Sequence, residues 1–383
     1  MSEQQLYRVP TISGLAETIS SALAEIEGTK VFFVGRGSYA KPLIEDLQSQ
    51  GITVEVFRGY ASNPLYEDVV NGVEAFKAFQ PDLLVSVGGG SALDTAKCIQ
   101  LFATVDALAD SEETYLDAKY SEAVVPHFVV PTTAGTGSDA TTFAVVYYKG
   151  DKYSVDSPQA LPNYVALVPE FLHGLSIYQK RATMLDALCQ AIESYWSVNS
   201  TDESKAYSVK AINLILANYR TYLSSTDDDA AEALLEAAYI AGQAINITKT
   251  TAPHAMSYKM SGLYDLAHGH ACAIALPKVW RYMLENLELC SDPRGVEYLD
   301  QAFGEIASYL GADNPSQAIA WLEKLLAELD MRSPKDTSPE DLEALVRSIN
   351  VQRLANNPVA LDSEAIELLY QWIIPSLTQD KGE

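Results

Sequence analysis

Asp82-Leu-Leu-Val-Ser-Val-Gly88-Gly89-Gly90-Ser91-Ala-Leu-Asp94-Thr-Ala-Lys97 is the stretch that decides the fold. An apolar run stops on three glycines, and a helix-compatible pattern follows at once. Strand, turn and helix start in that order are the repeating unit of a parallel α/β sheet. Glycines let a backbone approach a ligand and adopt angles other residues avoid. Ser91 is placed to cap the helix, with Asp94 three residues on completing a capping box. N–H groups exposed at such a helix start bind anions, a pyrophosphate among them. The loop is not GxGxxG, so the standard dinucleotide fingerprint is absent.

Working outward, the same rhythm recurs. Val31-Phe-Phe-Val34 ends in Gly35-Arg36-Gly37-Ser38, residues 53–57 alternate, and Asn63-Pro64 follows them at the same predicted sheet edge. Phe128-Val-Val130 runs into Pro131-Thr132-Thr133-Ala-Gly-Thr136-Gly-Ser138, a second loop whose hydroxyls and N–H groups suit phosphate and ribose oxygens. Two such loops at strand ends of one sheet predict a bound dinucleotide. An acidic residue after the first strand usually selects NAD(H), and an arginine there accommodates the 2′-phosphate of NADP(H). Arg36 therefore predicts NADP(H) preference. Residues 143–148 and 152–155 read as a hairpin around Gly150-Asp151, and Val165-Ala-Leu-Val168 as a last strand.

Beyond about residue 170 only helical spacing remains, as in Val209, Ile212, Leu216 and Tyr219, or Leu234, Ala238, Ala241 and Ile245. The expected organisation is an α/β dinucleotide-binding domain over residues 1–169 and an all-helical domain over 170–383. A net charge of −25 argues against nucleic acid and anionic membranes as partners. No apolar run approaches the roughly 18 residues of a membrane span. No secretory leader is read at the N-terminus, and the four cysteines lack CxxC spacing, which together predict a reducing, cytoplasmic location.

The chain has five histidines, and two of them, His254 and His268, bracket one compact stretch. Asp186 and Gln190, four apart on a helical pattern, share a face. Imidazole and carboxylate together suit a divalent transition metal; two histidines and one carboxylate suit Fe²⁺, and tetrahedral completion suits Zn²⁺. His254 is expected at the end of one helical stretch and His268 just after the turn-like residues 261–265, so that adjacent helices bring the imidazoles together. Each residue alone has a plain structural explanation; the set does not.

Taken in order, the glycine loop, the threonine loop, Asp186-Ala-Leu, His254 and His268-Gly resemble the iron-containing (group III) alcohol dehydrogenases, over roughly residues 30–280. The resemblance implies a dehydroquinate synthase-like architecture: a dinucleotide-binding α/β domain, a helical metal domain and a cleft between them. It implies pyrophosphate at Gly89, Gly90 and Ser91, with Asp94 in the same segment, and further cofactor contacts at Thr132, Thr133, Thr136, Asn63 and Lys152. Asp186, His254 and His268 match three metal ligands. Two positions depart from the family pattern. Gln190 stands where the fourth ligand is usually a histidine and supplies a weaker carbonyl oxygen, unless a water takes its place. Tyr258 stands where a histidine often serves proton relay, so Tyr258 or His270 is expected to return the proton.

The stretch Lys249-Thr-Thr-Ala-Pro-His254-Ala-Met-Ser-Tyr258-Lys259, with Glu193-Ser-Tyr-Trp-Ser-Val-Asn199, looks more like the phosphonoacetaldehyde reductases within that family. Lys249 and Lys259 would then hold a doubly charged phosphonate through charge-assisted bonds. The resemblance also implies a homodimer or larger assembly. The expectation is a metal-dependent NAD(P)H-linked reductase of a small aldehyde, an anionic one where the two lysines bind it. A polyol dehydrogenase of the glycerol type, a dehydroquinate synthase-like lyase and a non-catalytic binding protein stand as alternatives in that order. The lyase would need more basic residues around a sugar-phosphate pocket than the chain provides.

Overall fold

The computed structural model describes residues 4–105, 114–122, 124–349 and 351–378. The chain divides into two compact units, the first running to Leu175 and including Ser225–Gly242, the second comprising Ser176–Ser224 and everything from Gln243 onward.

In the first unit the strands are β1 (Gln5–Arg8), β2 (Lys30–Gly35), β3 (Thr53–Phe57), β4 (Leu83–Gly88), β5 (His127–Pro131), β6 (Phe143–Tyr148), β7 (Asp151–Asp156) and β8 (Tyr164–Leu167). Six of them form one parallel sheet in the order β1-β8-β5-β4-β2-β3. The helices of this unit are α1 (Leu15–Glu25), α2 (Ala40–Ser49), α3 (Tyr66–Phe79), α4 (Gly90–Ala103) and the short α5 (Glu170–His173). Strands with helices on both faces must be apolar throughout, and every residue of β4 and β5 is buried. Alternate side chains divide between two cores. Val31, Phe33, Val85 and Val87 pack with Leu15 and Ile19 of α1, while Phe32, Val34 and Leu84 pack with Val69 of α3 and Ile99 of α4.

Chain order reverses between β2 and β4, so the crevice beyond their carboxyl ends is where such sheets take ligands. β6 and β7 form the antiparallel hairpin expected around residue 150; Lys149 and Gly150 both have positive φ, as a tight two-residue turn requires. β1 is an addition that the hydropathy pattern does not reveal.

The second unit holds α6 (Ile177–Trp196), α7 (Asp202–Ser224), the end of α8 (Asp228–Thr248), α9 (Ala252–Tyr264), α10 (His268–Glu285), α11 (Val296–Tyr309), α12 (Pro315–Glu328), α13 (Pro339–Arg347) and α14 (Ser363–Ile373). α6 starts from a capping box in which Ser176 and Gln179 exchange side-chain and backbone bonds, and its C-terminal half is wholly buried. It packs against α7 and α10, and α10 packs against α9. No described helix is long and apolar enough to cross a membrane.

Candidate active site

In the first unit the glycine and threonine loops leave the sheet side by side. Gly88 and Pro131 are register partners, and the Thr132 N–H donates to the Gly88 carbonyl at 2.9 Å. A Cβ on Gly90 would meet Thr136 Cγ2 at 3.0 Å, so glycine allows the loops to touch. The capping box expected of Ser91 and Asp94 does not form. The helix α4 already begins at Gly90, with Gly89 as its N-cap and no side-chain cap. Ser91 Oγ instead donates to the Ser62 carbonyl, which ties the glycine loop to the segment carrying Asn63. Asp94 accepts from Ser138 Oγ at 2.6 Å and from the Val145 N–H at 3.0 Å. One turn on, the fully buried Lys97 donates to the Thr141 and Phe143 carbonyls at 2.7 and 3.0 Å. Burial pushes this ammonium down to about 8, against the pull of Asp94 and Asp139. Asp94 and Lys97 thus fasten α4 to the threonine loop and β6.

Gly89, Gly90, Ser91, Thr132, Thr133 and Thr136 keep part of their surface open, and Asn63 is exposed beside them. Lys152, half-buried on β7, is near enough to Asp94 to act on its charge. Arg36, at the end of β2, lies over the Tyr60 ring, with its Cζ 4.5 Å from the ring centroid and Nη1 donating to the Tyr60 carbonyl at 2.8 Å.

In the second unit three helices converge. Asp186 comes from α6, His254 from the first turn of α9 and His268 from the first residue of α10. His254 therefore begins a helix and does not end one: Thr251 is the N-cap and Pro253 lies in the first turn, where a missing N–H costs nothing. One donor atom each from Asp186, His254, His268 and Cys272 fall within 4.8 Å of one another. Gly269 makes this approach sterically feasible, since a Cβ there would sit 2.0 Å from the Ala182 carbonyl oxygen and 2.7 Å from Asp186 Cβ.

The surroundings fix which nitrogen of each ring faces the cluster. His254 Nδ1 lies 2.5 Å from the buried Glu193 Oε1, and its Nε2 lies 3.2 Å from Asp186 Oδ1. Ser257 Oγ donates to the His254 carbonyl at 2.8 Å and is left to accept from His268 Nδ1 at 3.2 Å. Both Nδ1 atoms are thereby held as donors and both Nε2 atoms point inward, the arrangement that carboxylate and hydroxyl partners impose on metal-binding imidazoles. Burial works against protonation of His254, yet the charges of Cys272 and Glu193 and the bond from Asp186 hold its pKa well above the usual value. Asp186 and Glu193 thus flank this imidazole on its two nitrogens.

Two of the donor pairs have the spacing of ligands to one metal ion. For bonds of ordinary length to a tetrahedral zinc-like ion, oxygen and nitrogen donors sit roughly 3.3 Å apart and sulfur and nitrogen roughly 3.6 Å apart. Asp186 Oδ1 and His254 Nε2 are 3.2 Å apart, and Cys272 Sγ and His268 Nε2 are 3.7 Å apart.

Tyr258, one turn after His254, stacks on His268 with centroids 5.4 Å apart and planes within 4°. Tyr258 and His268 are the half-buried members of this cluster and mark its open side. His270 has both ring nitrogens occupied: Nδ1 by Tyr178 Oη at 3.1 Å and Nε2 by the Arg332 carbonyl at 3.1 Å. Since Tyr178 Oη also receives the Ala267 N–H at 3.0 Å, His270 anchors the start of α10. Gln190 is buried one turn beyond Asp186. Lys259 is exposed, about 140° around α9 from His254. Lys249 is half-buried in the bend before α9, with a left-handed φ of 59°.

That bend is braced by the Glu193–Asn199 segment. Glu193 Oε2 accepts from the Thr251 N–H at 2.8 Å, Trp196 Nε1 donates to Thr251 Oγ1 at 2.9 Å, and Ser194 Oγ accepts from Thr248 Oγ1 at 3.0 Å. Glu193 and Cys272 were not among the expected site residues. Their signal is spacing alone: Glu193 lies two turns beyond Asp186, and Cys272 one turn beyond His268.

Residues 9–169 match the iron-containing alcohol dehydrogenase family and residues 180–374 match its C-terminal domain family. The chain belongs to the iron-containing alcohol dehydrogenases, oxidoreductases that use a nicotinamide cofactor and iron. It is 32% identical over 348 residues to the phosphonoacetaldehyde reductase of Streptomyces viridochromogenes, covering 87% of this chain and 86% of that one. It is 28% identical over 391 residues to the choline dehydrogenase of Bacillus subtilis, covering 97% and 95%. The fold also matches the crystal structure of sulfoacetaldehyde reductase from Bifidobacterium kashiwanohense in complex with NAD+, with a TM-score of 0.84, 24% identity and coverage of 99% and 98%.

Proposed function

We propose that this enzyme reduces a small anionic aldehyde, with phosphonoacetaldehyde as substrate and 2-hydroxyethylphosphonate as product. The observation that carries this reading is the converging Asp186, His254 and His268 set, preceded by a braced bend that holds Lys249. When bound, the metal supplies Lewis acidity toward the carbonyl oxygen and the nicotinamide supplies the hydride. Asp186, His254 and His268 hold the ion, and Glu193 and Ser257 keep the two imidazoles in the ligating tautomer. Gly89, Gly90 and Ser91 receive the pyrophosphate at the start of α4, and Thr132, Thr133, Thr136, Asn63 and Lys152 line the rest of the cofactor. Tyr258, on the open side of the cluster, supplies the proton that the new hydroxyl requires. Lys249 pairs with the phosphonate; Lys259, exposed on another side of α9, does not.

We place the enzyme in the cytoplasm, where its four free cysteines persist, as a homodimer or larger assembly using NADPH. A panel of phosphonoacetaldehyde, sulfoacetaldehyde, an uncharged aldehyde and glycerol, assayed with both cofactors, tests the substrate. Phosphonoacetaldehyde is expected to have the highest kcat/KM, and Lys249→Ala to raise its KM about tenfold or more with little effect on the uncharged aldehyde. Preferred glycerol oxidation, indifferent to Lys249→Ala, would identify a polyol dehydrogenase instead.

A further inference from the structure

The family pattern looks for the fourth protein donor on α6, where this chain has Gln190. The structure offers a different atom. Cys272 lies on α10 about one helical turn after His268, is fully buried, and has its Sγ 3.7 Å from His268 Nε2 and 3.9 Å from His268 Nδ1. Its sulfur belongs to the same group of donors within 4.8 Å as Asp186 and His254. The sulfur thus lies beside the His268 ring, close to both nitrogens, including the Nε2 that Ser257 leaves free to ligate. We propose that Cys272, as a thiolate, is the fourth protein ligand of the metal, completing an Asp186–His254–His268–Cys272 set drawn from α6, α9 and α10.

The chemistry favours sulfur over the amide. A neutral carbonyl oxygen is a weak partner for a borderline metal, whereas a thiolate is a strong one and neutralises charge. With neutral imidazoles, the ligating Asp186 carboxylate and one thiolate match the charge of a divalent ion, and the Glu193 carboxylate behind His254 adds one further negative charge. Binding forms the metal–sulfur bond and breaks the S–H bond, and the proton leaves to solvent, so loading should release it. A sulfur donor also biases the site toward Zn²⁺ or Fe²⁺ and away from Mg²⁺ or Mn²⁺. The proposal rests on the metal-dependent reading above.

The test is Co²⁺ substitution of the full chain, followed by absorption spectroscopy. The wild-type protein should show a near-ultraviolet sulfur-to-cobalt charge-transfer band in addition to the visible ligand-field bands. Cys272→Ala and Cys272→Ser should each lose the charge-transfer band, keep visible bands, and bind Co²⁺ about tenfold or more weakly. Cys189 is also buried and feels the charge of Cys272, so Cys189→Ala serves as the control and should keep the band. Gln190→Ala should keep it as well. Circular dichroism and thermal unfolding of the metal-free variants check that each has folded, and the isosteric serine covers the case in which alanine does not. Bound cobalt without a sulfur band in the wild-type protein, or a band that survives Cys272→Ala, overturns ligation by Cys272 while leaving the metal-dependent reading intact. A wild-type chain that binds no Co²⁺, Zn²⁺ or Fe²⁺ overturns both.

Discussion

Glu193 and His254 form a close polar contact behind the donor cluster, with Oε1 2.5 Å from Nδ1 and both side chains buried. Because Glu193 Oε2 also accepts from the Thr251 N–H and hydroxyl, one carboxylate fixes both the imidazole tautomer and the helix start that carries it. Glu193→Gln keeps one acceptor but turns a donor toward the Thr251 N–H. Metal affinity should fall about 10- to 100-fold. Metal content after dialysis against a graded chelator reads this directly. An unchanged affinity would mean that Glu193 only braces the bend.

Gly269 and Asp186 make a steric prediction. With a Cβ at residue 269 forced to 2.0 Å from the Ala182 carbonyl oxygen, Gly269→Ala must push α10 off α6. Stability should drop by about 1–3 kcal/mol or more, with loss of bound metal, because His268 moves with α10. Gly262, in α9, has nothing within 4 Å of its Cβ position, so Gly262→Ala should be neutral or stabilising by up to about 1 kcal/mol. Thermal denaturation of the pair separates close approach from glycine entropy; equal effects would refute the packing argument.

How far the chain is legible as a string depends on whether the signal is local. β2, β4 and β5 are apolar runs cut off by glycine or proline, so the parallel sheet and both loops can be read directly. β1 escapes because its four residues, Gln5–Arg8, show no apolar alternation and acquire their identity only by pairing with β8. The S-x-x-D spacing of Ser91 and Asp94 imitates a capping box, but the three glycines let the helix start two residues earlier, and tertiary partners then claim both side chains. Asp186, His254 and His268 stand out by residue type. Cys272 does not, since a lone cysteine on an apolar helix reads as core; only the convergence of α6, α9 and α10 distinguishes it. Similarly, the partners of His270, Tyr178 on one ring nitrogen and the Arg332 carbonyl on the other, are far away in sequence and visible only in the fold.

Arg36 and Tyr60 bear on cofactor choice. The guanidinium lies on the Tyr60 ring and donates to its carbonyl, at the end of β2 beside the sheet's switch point, so it is positioned before any ligand arrives. A pre-positioned arginine there suits a 2′-phosphate. Arg36→Asp should move the ratio of kcat/KM for NADPH over NADH by about tenfold or more toward NADH. A ratio that does not move would make Arg36 a surface residue resting on an aromatic ring.

His127 and Ser86 make a prediction about the acid stability of the first unit. Their side chains, both fully buried in adjacent strands, bond at 2.8 Å between Ser86 Oγ and His127 Nε2. Burial, assisted by the Lys97 charge, pushes this imidazole from the usual 6.5 down to about 3. Between those values the unfolded chain binds a proton that the folded chain refuses, so stability rises with pH across the window. The contribution is complete above about 6.5 and is lost as pH falls toward 3, amounting to at most about 5 kcal/mol. His127→Gln removes the titration while keeping a polar side chain beside Ser86. Denaturant unfolding of both proteins from about pH 4 to pH 7 should show a flatter acid limb for the variant, whatever its offset in stability. Parallel profiles would mean that the acid sensitivity of this fold comes from its carboxylates alone.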